Sequence, residues 1–166
     1  TTWMVMALKS GQTAGLEVDG RALEWARALC ERLTDPKTGR AGYSRRGEGI
    51  ARSPEQVERF PESQSESMTA AAMMLRIFTG ENPKSSRAIQ AGSRLCDARL
   101  PDWRPESGAV DMYYWYYGTL AMWQVGGRPW VRWNKALTTA VLPNQRTDGN
   151  FTGSWDPIGP WGEEGG

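Results

Sequence analysis

The sequence predicts an all-α fold built from about three helix-hairpin repeats. Three apolar segments rich in small residues end at glycines, namely Gly11, Gly80 and Gly127. Glycine commonly takes the left-handed conformation that closes a helix. Each of these segments is followed by a second amphipathic segment, at about 19–34, 83–99 and 128–142. A repeated amphipathic pair must stack on its neighbours to bury its apolar face, so the pattern favours one continuous helical domain.

We place the three repeats at about residues 1–44, 66–108 and 111–161, within a single domain spanning 1–166. The second helices are expected to begin near residues that favour helix starts, because an Asx side chain caps free N–H groups and proline fits the first turn. These residues are Asp19, Asn82, Pro83 and Pro129. Each repeat then closes in a turn-rich loop.

Residues 45–65, called the insertion segment below, separate the first two repeats. The segment is polar and rich in Gly, Pro and Ser, and loops of this length within a domain are usually functional or disordered. Two interpretations stay open, a plain surface insertion and a loop that binds a ligand or covers a cavity. Ser53 is expected to start one short helical turn.

The first helix of the third repeat, from Met112 to Val125, is apolar nearly all round, which is typical of a helix buried on every side. Tyr113, Tyr117 and Gln124 share one stripe of this helix, and Trp115 lies on another. One interpretation is core packing, with the tyrosine hydroxyls bonded to neighbours. The other is an aromatic wall that binds an apolar or cationic ligand.

The last loop is rich in tryptophan, with Trp155, Asp156 and Trp161 close together in the sequence. Asp156 precedes a proline, and turn structure alone explains that pattern. Three further interpretations stay open. These three residues meet near a cavity mouth, the tryptophans form a stacking platform for sugars or for side chains of a partner, or the loop folds back over the end of the helical domain.

The segment Gln145-Arg-Thr-Asp-Gly-Asn-Phe151 resembles the Gln-x-x-x-Gly-x-Trp repeat of squalene and oxidosqualene cyclases, with Phe in place of Trp. Residues 111–161 also resemble bacterial proteins described as prenyltransferase/squalene-oxidase-repeat proteins. The resemblance implies a partial α/α toroid, in which inner and outer helices alternate around a centre. It also implies that Gln145 ties a helix end to the start of the next helix, with the aromatic residue packed beneath it.

The chemistry of those families is mostly missing from this sequence. Triterpene cyclases use an Asp-x-Asp-Asp acid motif, and here the four residues that end at Asp111 are Gly-Ala-Val-Asp. We therefore interpret Asp111 as a helix N-cap that is also a candidate ligand contact, and we assign no catalytic residue. With no histidine and two distant cysteines, the zinc site of protein prenyltransferases cannot be assembled, and we predict no metal and no cofactor.

Cys30 and Cys96 occupy similar places on two predicted helices of neighbouring repeats. Packed helix axes lie about 8–10 Å apart, whereas a disulfide needs α-carbons within about 7 Å. We therefore expect free, buried thiols.

The formal charge of +1 gives no support for a nucleic-acid partner, which requires a concentrated basic surface. The sequence has no apolar run of about 18 residues, so no membrane span is predicted. The chain begins at Thr1 inside a helix pattern, and we expect it to be a piece of a longer protein.

Two functions remain after these observations. The first is a non-catalytic repeat module that binds an apolar ligand or a protein partner, or acts as a scaffold, through an aromatic-lined concave face. The alternative is a fragment of a terpenoid cyclase-like or prenyltransferase-like enzyme whose acid motif lies outside this chain. Glycan recognition by the tryptophan-rich loop is a third hypothesis. The sequence leaves open whether any catalysis occurs.

Overall fold

The computed structural model describes residues 1–48 and 50–162. In this part of the chain the structure is helical, without a β-strand beyond isolated bridges, so the predicted all-α class is confirmed. Its helices are α1 (Thr2–Thr13), α2 (Gly20–Leu33), α3 (Pro54–Arg59), α4 (Ser67–Phe78), α5 (Arg87–Asp97), α6 (Met112–Val125) and α7 (Gly127–Val141). Short 3₁₀ turns occupy Glu62–Gln64, Pro105–Ser107, Leu142–Asn144 and Gly149–Phe151.

The helix starts mostly follow the capping residues of the sequence. The Asp19 carboxylate accepts the Arg21 N–H at 2.9 Å at the start of α2. Ser53 and Gln56 form a capping box that starts α3, the short helical turn predicted in the insertion segment. The start of α5 is a correction to the prediction, because Ser86 rather than Asn82 caps this helix.

Asn82 forms a turn of its own ahead of α5, where its side-chain oxygen accepts the Lys84 N–H at 2.9 Å. Ser86 is then held by a 2.6 Å hydrogen bond from its hydroxyl to the Glu81 carboxylate. This bond fixes the cap four residues later than predicted.

Two of the three predicted closing glycines lie at helix ends. Gly80 (φ +97°) follows α4, Gly126 (φ +70°) lies between α6 and α7, and Gly127 (φ +62°) is the first residue of α7. Gly11 was predicted to end α1, and this prediction is wrong, because α1 continues to Thr13. The left-handed residue after α1 is Gly15, with φ +82°.

Helix α4 is the centre of the packing and contacts α1, α2, α5 and α6. Helices α1, α4 and α6 lie side by side, since α4 contacts both of the others. Each of the three also contacts the long helix that follows it: α2 packs on α1, α5 on α4, and α7 on α6. The three helix pairs are therefore packed against one another through α1, α4 and α6. Helix α5 also contacts α6 and α7.

The main core lies between α4, α5, α6 and α7. Its largest fully buried side chains include Tyr114, Tyr117 and Met122 of α6 together with Trp133 of α7. The edge of the Tyr114 ring meets the Trp133 ring at a centroid distance of 5.4 Å. Gly118 allows this close approach of the two helices, because an added Cβ would lie 2.3 Å from the Trp133 ring.

Both cysteines are free and buried, as predicted. Burial raises the pKa of both thiols, that of Cys96 to about 12. No helix in the described ranges is both long enough and apolar enough to cross a membrane.

The described residues of the insertion segment pack against the helices, and Gly49 lies outside the described residues. Phe60 is 7% exposed, and the Arg52 side chain is 3% exposed. Arg52 donates a hydrogen bond to the Phe60 carbonyl and forms an ion pair with Asp111. The segment is therefore an integral part of the fold at the start of α6.

Candidate functional site

Three adjoining cavities meet at Tyr113, and together they are called the Tyr113 groove below. The first has a volume of about 280 Å³, the second about 130 Å³ and the third about 500 Å³. Tyr113 lines all three. Tyr43 and Met68 line both the first and the second, and Trp161 lines both the second and the third.

The groove lies where three neighbouring helices begin. Trp3 of α1, Met68 of α4 and Tyr113 of α6 each stand in the first turn of their helix, and all three line the first cavity. Because these helices start at the same end of the structure, their first turns form one surface. Leu33, at the end of α2, and Tyr43 complete its wall.

The tryptophan-rich loop supplies the other side of the groove. Trp155, Asp156 and Trp161 line the third cavity together with Met112 and Tyr113. The structure thus brings four of the candidate residues together, Tyr113 from α6 and three from the loop. Both tryptophans are partly exposed, at 38% each.

Two hydrogen bonds fix this loop. The Trp155 indole N–H donates to the Val141 carbonyl at 2.7 Å, which attaches the ring to the end of α7. The Gln56 side-chain amide donates to the Pro160 carbonyl at 2.9 Å, which attaches the loop to the insertion segment. The aromatic rings of the groove are therefore positioned by two separate parts of the chain.

Asp156 is exposed and takes part in a surface ion-pair network. Arg146 lies 2.9 Å from the Asp156 carboxylate and 2.6 Å from that of Asp148. The hydrogen bond from Arg146 lowers the pKa of Asp148. Arg146 also lies over the ring of Phe151, 4.6 Å from its centroid.

The contacts of Gln145 differ from those that the resemblance implies. Its side-chain amide donates to the Gly153 carbonyl at 2.9 Å and so closes its own loop. Phe151 is 59% exposed and packs under Arg146 rather than beneath the glutamine. The Gln145 amide is used within its own loop, and Phe151 stacks on an Arg146 side chain that Asp148 and Asp156 hold in place.

Three candidate residues of α6 lie outside the groove. Trp115 is 3% exposed and packs beside Trp103 at a centroid distance of 6.0 Å. Tyr117 is fully buried, and Gln124 is exposed on the surface. The core-packing interpretation therefore describes Trp115 and Tyr117. Of the four candidate residues Tyr113, Trp115, Tyr117 and Gln124, Tyr113 is the one that contributes an aromatic ring to the groove.

Tyr117 nonetheless supports Tyr113 from below, with ring centroids 4.9 Å apart. Within the described residues, no hydrogen bond of acceptable geometry reaches the Tyr117 hydroxyl. Burial is the main cause that raises the pKa of Tyr117, and the neighbouring Tyr113 hydroxyl raises it further. The Tyr113 pKa is raised by partial burial as well.

Asp111 lies directly before α6, the helix of Tyr113, and its carboxylate accepts hydrogen bonds from three groups. One oxygen accepts the Tyr114 N–H at 2.9 Å, which is the predicted N-cap. The other accepts the Arg52 guanidinium at 2.6 Å and the Ser65 hydroxyl at 2.7 Å. With its side chain 2% exposed, Asp111 stands behind the groove and fixes its shape.

The sequence reasoning missed Trp3, Tyr43, Met68 and Arg52 as parts of this site. Trp3 could have been found, because it stands in the first turn of the first repeat, as Tyr113 does in the third. Tyr43 and Arg52 reach the groove from loops, where periodicity carries no information.

Among residues 1–48 and 50–162, no group of three or more His, Cys, Asp or Glu side chains is arranged to hold a metal ion. Comparisons of the chain with protein-family models, with curated proteins and with solved structures gave no match.

Proposed function

We propose that this chain is a non-catalytic helical-repeat module that binds an apolar ligand, or an apolar segment of a protein partner, in the Tyr113 groove. The observation that carries the proposal is the convergence of five aromatic side chains from separate parts of the chain on adjoining cavities. They are Trp3, Tyr43, Tyr113, Trp155 and Trp161. Concave, largely apolar surfaces with a few polar groups are the usual form of a ligand site.

The charges around the groove favour an uncharged occupant. Arg52 and Asp156 are the charged side chains among the described residues that line it, and each is already paired. Arg52 is bound by Asp111 and Asp156 by Arg146. A charged ligand would have to compete with these pairs, whereas an apolar one would stack on the exposed rings.

The proposal places the module in an arc of an α/α toroid. Helices α1, α4 and α6 would be its inner helices, and α2, α5 and α7 the outer ones. The order of contacts supports this arrangement, because each inner helix contacts the helix that follows it in sequence. The likeness of residues 111–161 to prenyltransferase/squalene-oxidase repeats is the sequence basis for the same arrangement.

A cyclase-like activity is less well supported. Asp111 is the one residue that matches the acid motif, and a general acid must carry a proton to the substrate. Here a guanidinium lies 2.6 Å from the carboxylate, and the site of Asp111 is closed by Ser65 and the Tyr114 N–H. A cyclase would therefore need its acid from residues outside this chain.

Glycan binding is also less well supported. A sugar needs hydrogen-bonding groups beside the aromatic platform, since its hydroxyls are desolvated on binding. The Trp155 N–H is already donated to Val141. The walls beside it are formed mainly by Met112, Pro157, Ile158 and other apolar groups.

A titration with Nile red, an uncharged apolar dye, tests the proposal. We expect the dye to bind the chain with increased fluorescence, and Tyr113→Ala and Trp161→Ala to weaken binding about tenfold or more, which corresponds to about 1.4 kcal/mol for each ring lost. Trp25→Ala is the matched control, because Trp25 is 71% exposed on α2 and lines none of these cavities.

Equal dye affinity in the wild type and in both groove variants would refute the proposal. Circular dichroism of each variant shows whether the helices are retained, so that a loss of binding is not confused with unfolding. A Trp25→Ala variant that loses dye binding as strongly as Trp161→Ala would also count against the groove.

A further inference from the structure

A second groove, called the α7 groove below, lies between α7 and the loop that follows α5. Its volume is about 590 Å³, which is in the range of small-molecule sites. The apolar residues that line it are Leu100, Pro101, Trp103, Ala136 and Ala140. Within the described part of the chain, it shares no lining residue with the Tyr113 groove. The two grooves are therefore separate sites.

Trp103 gives the α7 groove a flat apolar wall. Its ring is partly buried and packs beside the Trp115 ring, which is 3% exposed and therefore a fixed support. On the side of α7, the groove is lined by the small side chains of Ala136 and Ala140. A firmly held aromatic ring beside small side chains leaves room for a flat apolar group that stacks on the ring.

Helix α7 carries basic residues and no acidic one. Arg128, Arg132 and Lys135 follow one another at spacings of four and three residues, which places them on one side of the helix. All three are exposed. The sequence from 112 to 145 contains no Asp or Glu at all. The side of α7 that reaches the groove through Arg132 and Lys135 is therefore positively charged.

Two of the three charged side chains that line the α7 groove are already paired. Arg132 lies 3.1 Å from the Asp97 carboxylate, and this pair attaches α7 to the end of α5. Asp102 is paired with Arg104. Lys135 is the third charge, and it forms no ion pair within residues 1–48 and 50–162. An anionic group can thus pair with Lys135 without displacing an existing partner.

We propose that the α7 groove binds a small molecule that has a flat apolar body and one carboxylate group. The body would stack on Trp103. The carboxylate would accept hydrogen bonds from the Lys135 ammonium group and from the hydroxyl of Thr139, which lies one helical turn further along and also lines the groove. One unpaired cation matches one negative charge. The Tyr113 groove differs in this respect, because both of its charged side chains are paired.

A titration with 2-naphthoate, followed by the indole N–H signal of Trp103 in nuclear magnetic resonance spectra, tests the proposal. Trp103→Phe identifies this signal by removing it. We expect a saturable shift with a dissociation constant in roughly the millimolar range, which is usual for so small a ligand. Two compounds should bind this site at least about tenfold more weakly. They are 2-naphthamide, which lacks the charge, and acetate, which lacks the apolar body.

Lys135→Glu replaces the unpaired cation by a negative charge and should weaken the binding of 2-naphthoate by about tenfold or more. Lys84→Glu is the matched control, because it changes the net charge equally at an exposed position that lines neither groove. It should bind 2-naphthoate like the wild type. Circular dichroism of both variants controls for folding, which exposed positions are expected to preserve.

Three results would overturn the proposal. One is a Trp103 signal that stays in place up to about 10 mM 2-naphthoate. Another is binding of 2-naphthamide or acetate as strong as that of 2-naphthoate. The last is an equal affinity of Lys135→Glu and Lys84→Glu for 2-naphthoate, which would show that Lys135 does not contact the carboxylate. None of these results bears on the Tyr113 groove, because Trp103 does not line it.

Discussion

Arg52 and Asp111 form an ion pair of 2.6 Å that joins the insertion segment to the start of α6. Their side chains are 3% and 2% exposed, so both charges are almost entirely removed from water. Arg52 also lines the second cavity of the Tyr113 groove. The pair therefore links the stability of the fold to the shape of the proposed binding surface.

Asp111→Asn should be strongly destabilising, because it leaves the Arg52 charge buried without its partner. Breaking a buried pair in this way costs about 3–5 kcal/mol. Asparagine is itself a good N-cap, so the hydrogen bond to the Tyr114 N–H is retained. The loss then reports on the contacts of the other oxygen with Arg52 and Ser65. The free energy of unfolding in urea measures the effect.

Asp19→Asn is the matched control, since Asp19 is also an N-cap paired with an arginine. That pair is exposed on both sides, at 72% for Arg21 and 54% for Asp19, and exposed pairs contribute little. We expect a much smaller loss of stability than for Asp111→Asn. Losses of similar size in the two variants would show that the Arg52–Asp111 pair has no special role.

Much of the helical framework could be predicted because local chemistry determines it. The cap at Asp111, the capping box at Ser53 and the glycine after α4 act within one helical turn. The start of α5 could not be chosen in this way, because Asn82 and Ser86 are both good caps. Their ranking depends on the hydrogen bond of Ser86 to Glu81, a contact that the sequence pattern does not show.

The candidate site could be predicted from the sequence only in part, as could the helix boundaries. The tryptophan-rich loop and Tyr113 could be named because they combine unusual composition with helix position. Which face of α6 reaches the groove depends on tertiary packing, and a helix that is apolar all round gives no periodicity from which to choose. Arg52 lies 59 residues from Asp111 in the chain, and no local rule joins them.

Gly118→Ala should destabilise the protein, although alanine favours helices by about 1 kcal/mol over glycine. The new Cβ would lie 2.3 Å from the Trp133 ring, which is fully buried and cannot move aside freely. Overpacking of this kind costs about 1–3 kcal/mol. Thermal unfolding followed by circular dichroism should show a lower midpoint.

Gly11→Ala provides the contrast, because Gly11 lies inside α1 and its added Cβ would lie 3.7 Å from the Val18 side chain. This is an ordinary van der Waals distance, so the helix propensity of alanine should dominate and raise stability by about 0.5–1 kcal/mol. If both substitutions changed the midpoint in the same direction, the close approach of α6 and α7 would be in doubt.

Removing the hydroxyl groups of two buried tyrosines on α6 should have different consequences. The Tyr114 hydroxyl donates to the Arg99 carbonyl at 2.8 Å, and Tyr114→Phe should cost about 1 kcal/mol. The Tyr117 hydroxyl lacks such a bond within the described residues, so Tyr117→Phe should be neutral or stabilising. Urea unfolding of the two variants makes the comparison, and an equal loss in both would contradict it.

The buried thiol of Cys96 should make the protein sensitive to alkaline pH. Its pKa is raised from an ordinary value near 9 to about 12, because burial disfavours the thiolate. The folded state therefore keeps this proton at a pH where the unfolded state loses it. The stability linked to Cys96 is fully present below about pH 9 and is lost as the pH rises toward 12. Between these values the slope is up to about 1.4 kcal/mol for each pH unit.

Cys96→Ala removes this group, so its free energy of unfolding should fall less steeply between pH 9 and pH 12 than that of the wild type. Tyr114 and Tyr117 also have raised pKa values and remain in the variant, so part of the alkaline slope should persist. Urea unfolding at several alkaline pH values measures both slopes. Identical slopes would mean that the Cys96 thiol ionises in the folded protein as readily as in the unfolded chain.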